Sequence, residues 1–437
     1  MQKRYLFIFP IILTLAVGIY AYNSISSNSN GMFNQTVSES SYTTSKSLSS
    51  SLTSNLTSAL ISVKISSSAA MTTPFITSES SITTKTASTL PNVLNDDGIF
   101  SAYYAKATKK VSAMSLNEKV GQMFLVRCPQ TNAVKDIKSY HLGGFVLYGA
   151  DFSNKTATNV ISKIKSYQGA SSIPMVMAVD EEGGTVVRIS SNPLLAAHKF
   201  LSPQAIYAKG GLNAIRSDTL NKAKMLKKYG INLNLAPVAD VSVNPSDYIY
   251  KRALGKPAAE TGKYVATVVK AMQASGLSST LKHFPGYGNN VNTHTGISID
   301  KRPYSTFEKS DFVPFEDGIN ANAESILVSH NIVNCMDKST PASLSPAVHR
   351  ILRNTLHFTG IIMTDDLSMD AIKDYTHNTD PAVKAVLAGN DMLMIDNFTV
   401  GYNAVIKAVK TGMISQQQLN DAVCRILAWK YAMGIIL

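Results

Sequence analysis

Cysteine is scarce in this chain: Cys128, Cys335 and Cys424 are the only three in 437 residues, widely spaced and with no Cys-x-x-Cys pair. They read as core residues beside apolar runs, one disulfide among them staying open. Charge is also thin. Charged residues make up 16% against 45% hydrophobic, enough apolar surface for a large core and against disorder of the main body. Acidic residues are outnumbered, 29 to 41, for a formal charge of +12. Residues 1–94 hold only five of the Lys/Arg and two of the Asp/Glu, so the body itself is basic. A basic body suits anionic surfaces such as cell-wall polymers, but no block of Lys and Arg interleaved with aromatics marks a nucleic-acid groove. Nor does a G-x-G-x-x-G follow the first apolar β-rich run, which argues against dinucleotide binding.

At the start, Lys3 and Arg4 precede a mostly apolar stretch, Tyr5 to Tyr22. That pattern fits an export signal or a single membrane anchor over residues 1–22, and hence an extracellular or cell-surface location. No small-x-small cleavage site stands out and no Cys follows for lipid attachment, so anchor and cleaved signal both stay open. Residues 23–94 are dominated by Ser and Thr, as in Ser38 to Ser54. Too apolar-poor to offset its conformational entropy, this segment is expected to be a disordered tether.

From residue 95 to 437 the pattern changes to short apolar, β-rich runs separated by amphipathic stretches. Eight runs are legible: Met123–Cys128, Gly144–Tyr148, Pro174–Asp180, Leu233–Val241, Ser279–Phe284, Ser325–His330, Gly360–Thr364 and Asp391–Ile395. Helical candidates between and after them include Asn159–Tyr167, Ala214–Tyr229, Ala258–Ala274, Ser345–Leu356, Pro381–Ala388 and Gln416–Tyr431. This is the α/β alternation of parallel βα units, and eight of them predict a (β/α)8 TIM-type barrel rather than an open sheet.

In such a barrel the functional groups gather at the C-terminal ends of the strands. The third run ends in Asp180-Glu181-Glu182-Gly183-Gly184, the fifth in Lys282-His283-Phe284-Pro285-Gly286, the sixth at His330, and the seventh meets Asp365-Asp366. One such residue means little, but four strands ending this way predict a shared polar pocket. Cleaving a glycosidic bond needs a proton for the leaving oxygen and a carboxylate or activated water at the anomeric carbon. Asp365 can serve the second need. The loop from Gly286 to His294, rich in Gly and Asn, offers a histidine for the first and has the composition of a mobile segment.

These blocks, taken in order, resemble glycoside hydrolase family 3 in its single-domain β-N-acetylglucosaminidase branch. The resemblance covers residues 112 to about 396 and rests on Leu116–Met123, Gly143–Leu147, Val179–Arg188, Ala236–Val241, Lys251–Gly255, Lys282–Gly286 and Gly360–Met369. It implies that Asp365 is the nucleophile of a retaining hydrolase and His294 its proton donor, with Asp366 as a supporting neighbour. It further implies sugar binding by Asp180, Arg252, Lys282 and His283, with Arg188 as a hydroxyl contact or a support behind them. The implied substrate is terminal β-linked N-acetylglucosamine on cell-wall or related glycans.

One position departs from the pattern. The branch has Asp-x-His where this chain reads Asn292-Thr293-His294. A carboxylate would stabilise the imidazolium as it forms, whereas Asn292 accepts a hydrogen bond without supplying charge. Two alternatives to the hydrolase follow from this, a phosphorylase and a tethered carbohydrate-binding protein with weakened turnover, and a β-glucosidase of the same family is a third. No metal or organic cofactor is implied, since His283, His294 and His330 lack ligand spacing and retaining hydrolysis needs none.

Overall fold

The computed structural model describes residues 97–293, 296–376 and 380–437. The 1–22 anchor or signal segment and the linker of residues 23–94 lie outside the described residues, as does His294. Among the described residues, no helix is long and apolar enough to cross a membrane.

Among the described residues ten strands follow one another: β1 (Phe124–Arg127), β2 (Gly144–Leu147), β3 (Val176–Val179), β4 (Leu233–Asn234), β5 (Ser278–Phe284), β6 (Ile299–Asp300), β7 (Ser325–Val328), β8 (Ile332–Val333), β9 (Ile361–Thr364) and β10 (Leu393–Ile395). Eight pair in parallel in the order β10-β1-β2-β3-β4-β5-β7-β9. A single parallel bridge, Met363 to Met392, joins β9 to β10 and closes the ring. The remaining two, β6 and β8, form a small parallel pair of their own.

All eight apolar runs contribute a barrel strand, most of them shorter than the run that announces it. Every residue of β2, β3 and β9 is buried. Helices cover one face of such a strand and the barrel interior takes the other, so the sequence shows a continuous apolar run rather than an alternation. Thr280 and Ser325 face each other in this interior with their hydroxyls 2.8 Å apart, satisfying each other away from water.

The helices fall where local chemistry starts them. Ser115 and Glu118 form a capping box on Leu116–Gln122, and Ser202 and Ser415 cap the helices beginning at Pro203 and Gln416. Two predicted helices need revising. The one expected over Ala214–Tyr229 starts earlier, at Pro203, and passes through a kink where Gly210 and Gly211 leave helical geometry. The one expected over Ser345–Leu356 is α-helical only to Arg350, then widens into a π-turn over Ile351–Thr355. Cys128 and Cys424 are buried as expected, but Cys335 is exposed, and no disulfide joins the three.

Candidate active site

A cavity of about 720 Å³ opens at the C-terminal ends of the barrel strands, with Asp180, Arg252, Lys282, His283, Asp365 and Asp366 all on its walls. Arg188 lines it too. Residues spread over almost two hundred positions thus meet in one polar cup.

Three consecutive acidic residues after β3 have three different environments. Asp180 faces the cavity, where it accepts from Lys282 Nζ at 2.7 Å and lies 3.5 Å from Arg188 Nη2. Glu181 turns inward and its carboxylate accepts from the N–H groups of Arg188, Ile189 and Ser190, pinning the segment that carries Arg188. Glu182 is also buried; Arg252 grips its two oxygens at 3.0 and 2.7 Å, and Lys282 approaches to 2.6 Å. Burial alone would raise the Glu182 carboxyl, but the Arg252 and Lys282 charges outweigh it and hold the group well below the ordinary carboxylate range. The same pairing holds the Arg252 guanidinium charged despite its burial. Gly183 and Gly184 make this turn possible: both have positive φ, and a Cβ on Gly183 would strike the Leu201 carbonyl.

His283 is oriented from behind. Its Nδ1 lies 2.7 Å from Asp240 Oδ2, and its Nε2 lies 3.2 Å from Arg252 Nη2. A guanidinium only donates, so Nε2 is the acceptor and Nδ1 carries the proton toward Asp240. The same Asp240 carboxylate accepts the N–H groups of His283 and Tyr287, tying the Lys-His pair to the loop that follows.

Asp365 follows β9. Its N–H continues the ladder to Val328 O, and its Oδ1 accepts the Asp366 N–H at 2.8 Å. Burial pushes the Asp366 carboxyl up; the Ser368 N–H opposes that and the Asp365 charge adds to it. His330, at the end of the sixth run, is fully buried and does not line the cavity. Its Nε2 donates to the Asp366 carbonyl and its Nδ1 accepts from Ser343, so it fastens the backbone behind the two aspartates.

The loop expected to carry His294 is firmly anchored over its described part. Tyr287 is buried, and its hydroxyl accepts the Thr293 N–H at 2.9 Å and meets Thr293 Oγ1 at 3.0 Å. Asn290 donates to Tyr287 O and to Asp300 Oδ2, while Arg302 ties Asp300, Asp311 and Gly286 together from below. Asn292 is half-buried and is not part of the cavity wall.

Residues 115–429 match the glycosyl hydrolase family 3 N-terminal domain. The chain belongs to glycosyl hydrolase family 3. This family 3 barrel is 28% identical to "Beta-hexosaminidase A" of Pseudoalteromonas piscicida over 67% of its own length and 54% of that protein. It is 25% identical to "Beta-N-acetylglucosaminidase/beta-glucosidase" of Cellulomonas fimi over 79% of itself and 62% of the relative. The chain thus spans little more than half the length of these two curated relatives. Among solved structures, a family 3 β-N-acetylglucosaminidase from Paenibacillus sp. superposes with a TM-score of 0.69 at 25% identity, covering 74% of this chain and 63% of that one. A β-N-acetylhexosaminidase from Beutenbergia cavernae gives 0.66 at 26% identity, with 74% of this chain and 99% of that one covered.

Sequence reasoning on this family 3 barrel passed over two residues that organise the cup. Glu182 was hidden as the last of three consecutive acids, and only its pairing with Arg252 and Lys282 distinguishes it. Asp240 lies near the end of the fourth apolar run, Leu233–Val241, so the strand-end rule used for the other four positions points to it as well. Among the described residues, no group of three or more His, Cys, Asp or Glu side chains could hold a metal ion.

Proposed function

We propose that the chain is a retaining glycosidase that releases terminal β-linked N-acetylglucosamine from cell-wall or related glycans. The observation that carries this reading is the shared cavity: Asp365 opens onto the same cup as the balanced Asp180–Lys282–Glu182–Arg252 network. Hydroxyl-rich rings are held by fixed, fully paired polar groups, and a carboxylate beside them is placed for attack. The names of the relatives at 25–28% identity support the hexosamine as substrate.

In this mechanism the Asp365 carboxylate attacks the anomeric carbon, the bond to the leaving oxygen breaks, and His294 donates its proton to that oxygen. His294 then takes a proton from water, which attacks the same carbon and returns Asp365 to the carboxylate. Lys282, Arg252, Asp180 and His283 hold the ring, and Arg188 braces Asp180. The full chain should release chromophore from a nitrophenyl N-acetylglucosaminide with retained configuration at the anomeric carbon. Absence of release at high enzyme concentration would reject the proposal.

A second reading follows from Asn292. An imidazole without a carboxylate partner is a weak base toward water, whereas phosphate arrives already ionised. A phosphate-dependent rise in turnover with formation of the sugar 1-phosphate would favour a phosphorylase. Export or anchoring at the cell surface completes the proposal and rests on the Lys3–Tyr22 pattern alone.

A further inference from the structure

The charged network of the cup is almost wholly buried and forms its floor, whereas other lining residues lie nearer solvent. Asp180, Lys282, Glu182 and Arg252 pair with one another, their side chains at most 15% exposed. Nearer solvent, the segment from Pro245 to Lys251 contributes Tyr248, which lines the cavity and is 39% exposed. Tyr148 lines the wall too, but the Arg127 and Arg188 guanidiniums sit over its ring at 4.5 and 5.6 Å. Tyr248 has a ring neighbour in Tyr287, at 5.6 Å between centroids and tilted by 40°.

This aromatic wall is rigidly presented. Ile249, the next residue, is fully buried in a small apolar cluster with Val238 and Tyr287. Before it, the Ser242 hydroxyl donates to Asp247 at 2.8 Å; after it, Gln204 donates to the carbonyls of Tyr250 at 2.6 Å and Ala253 at 3.3 Å. The same stapled segment ends in Arg252, which grips Glu182 on the floor. Tyr248 and the floor are therefore parts of one fixed frame, and Tyr248 loses little freedom when a ligand covers it.

We propose that Tyr248 is the platform of a leaving-group subsite, on which the C–H face of a second pyranose ring stacks while the terminal ring occupies the floor. The inference rests on the hydrolase reading above and adds to it that the leaving group is itself a sugar. A tyrosine suits this role because its ring offers an apolar face to the axial C–H bonds and its hydroxyl stays in water.

The test compares two substrates on the full chain: an N-acetylglucosaminyl disaccharide, whose leaving group is a sugar, and N-acetylglucosaminyl fluoride, whose leaving group has no ring. In Tyr248→Ala the ratio of kcat/KM for disaccharide over fluoride should fall about five- to tenfold, the size of one stacking contact. Tyr248→Phe, which keeps the ring, should restore most of that ratio. Equal losses on both substrates, or no loss on either, would overturn the proposal and make Tyr248 a structural residue. Failure of the wild-type chain to turn over the fluoride would instead reject the hydrolase reading. Titrations of the disaccharide into wild type and Y248A would then decide the platform by binding alone: weaker binding by the variant supports it, equal binding overturns it.

Discussion

Glu182 Oε1 and Lys282 Nζ lie 2.6 Å apart, and both side chains are almost wholly out of water. Neither charge has solvent to fall back on, so removing Glu182 takes the carboxylate from Arg252 and leaves Lys282 with Asp180 alone. Glu182→Gln should lower the unfolding free energy by about 3–5 kcal/mol, as expected for breaking a buried ion pair. Urea unfolding measures this directly; an unchanged midpoint and slope would show that the cup tolerates Arg252 without its carboxylate. The depressed Glu182 carboxyl also sets a sign. Its stabilisation is complete above the ordinary carboxylate range and is lost as pH falls below that range, so wild type and E182Q should converge in stability in acid.

Asp365→Ala should abolish turnover by at least about a thousandfold in kcat, since a covalent route has no substitute for its nucleophile. Binding of the free sugar should change far less, because the paired floor is intact. A variant with near-normal kcat would mean that Asp365 does not form the covalent bond.

Asn292→Asp should raise kcat/KM for poor leaving groups by about tenfold or more, by giving the imidazolium a charged partner. Substrates with good leaving groups need little protonation and should gain less. If both classes respond alike, acid catalysis is not what the asparagine limits.

Lys430 is completely buried, and burial lowers its ammonium to about 7. Its Nζ donates to Gln122 Oε1 and the Gly143 carbonyl at 2.7 and 2.9 Å, and among the described residues no carboxylate pairs with it. Between pH 7 and the ordinary lysine range the unfolded chain binds the proton more tightly than the folded one, so stability contributed here rises with pH. Thermal melts across that interval should show this rise in wild type and a smaller one in Lys430→Met.

Much of the scaffold was readable because a parallel barrel buries both faces of its strands. Runs such as Val176–Val179 and Ile361–Thr364 have no polar alternation to confuse with anything else, and the polar residues that end them stand out by contrast. Helices were harder where their buried stripe is thin. Ser101–Ser112 buries only Tyr104, Ala107 and Val111, three residues at helical spacing in an otherwise polar stretch. The site was legible one strand end at a time, but the division of labour within it was not. Asp180, Glu181 and Glu182 look alike in sequence, and only the backbone turn at Gly183 and Gly184 decides which faces the cavity and which is buried. The platform at Tyr248 was invisible for a related reason: an aromatic in a loop carries no period, and its meaning comes from Ile249 holding it in place.

The ring of strands is joined unevenly. Between β9 and β10 the ladder has one bridge, helped by the Asp391 carboxylate, which accepts the Ile362 N–H and is itself held by Arg353 and Arg425. Backbone bonds from the Thr364 N–H to Met392 O and from the Met392 N–H to Ile362 O also cross this seam, so the strand that delivers Asp365 meets β10 through a short ladder braced by one buried carboxylate. With Asp391 replaced by Ala, heat or denaturant should open that seam first, so the variant would stop working while most of its ring still stands, and inactivation would precede the loss of helical signal.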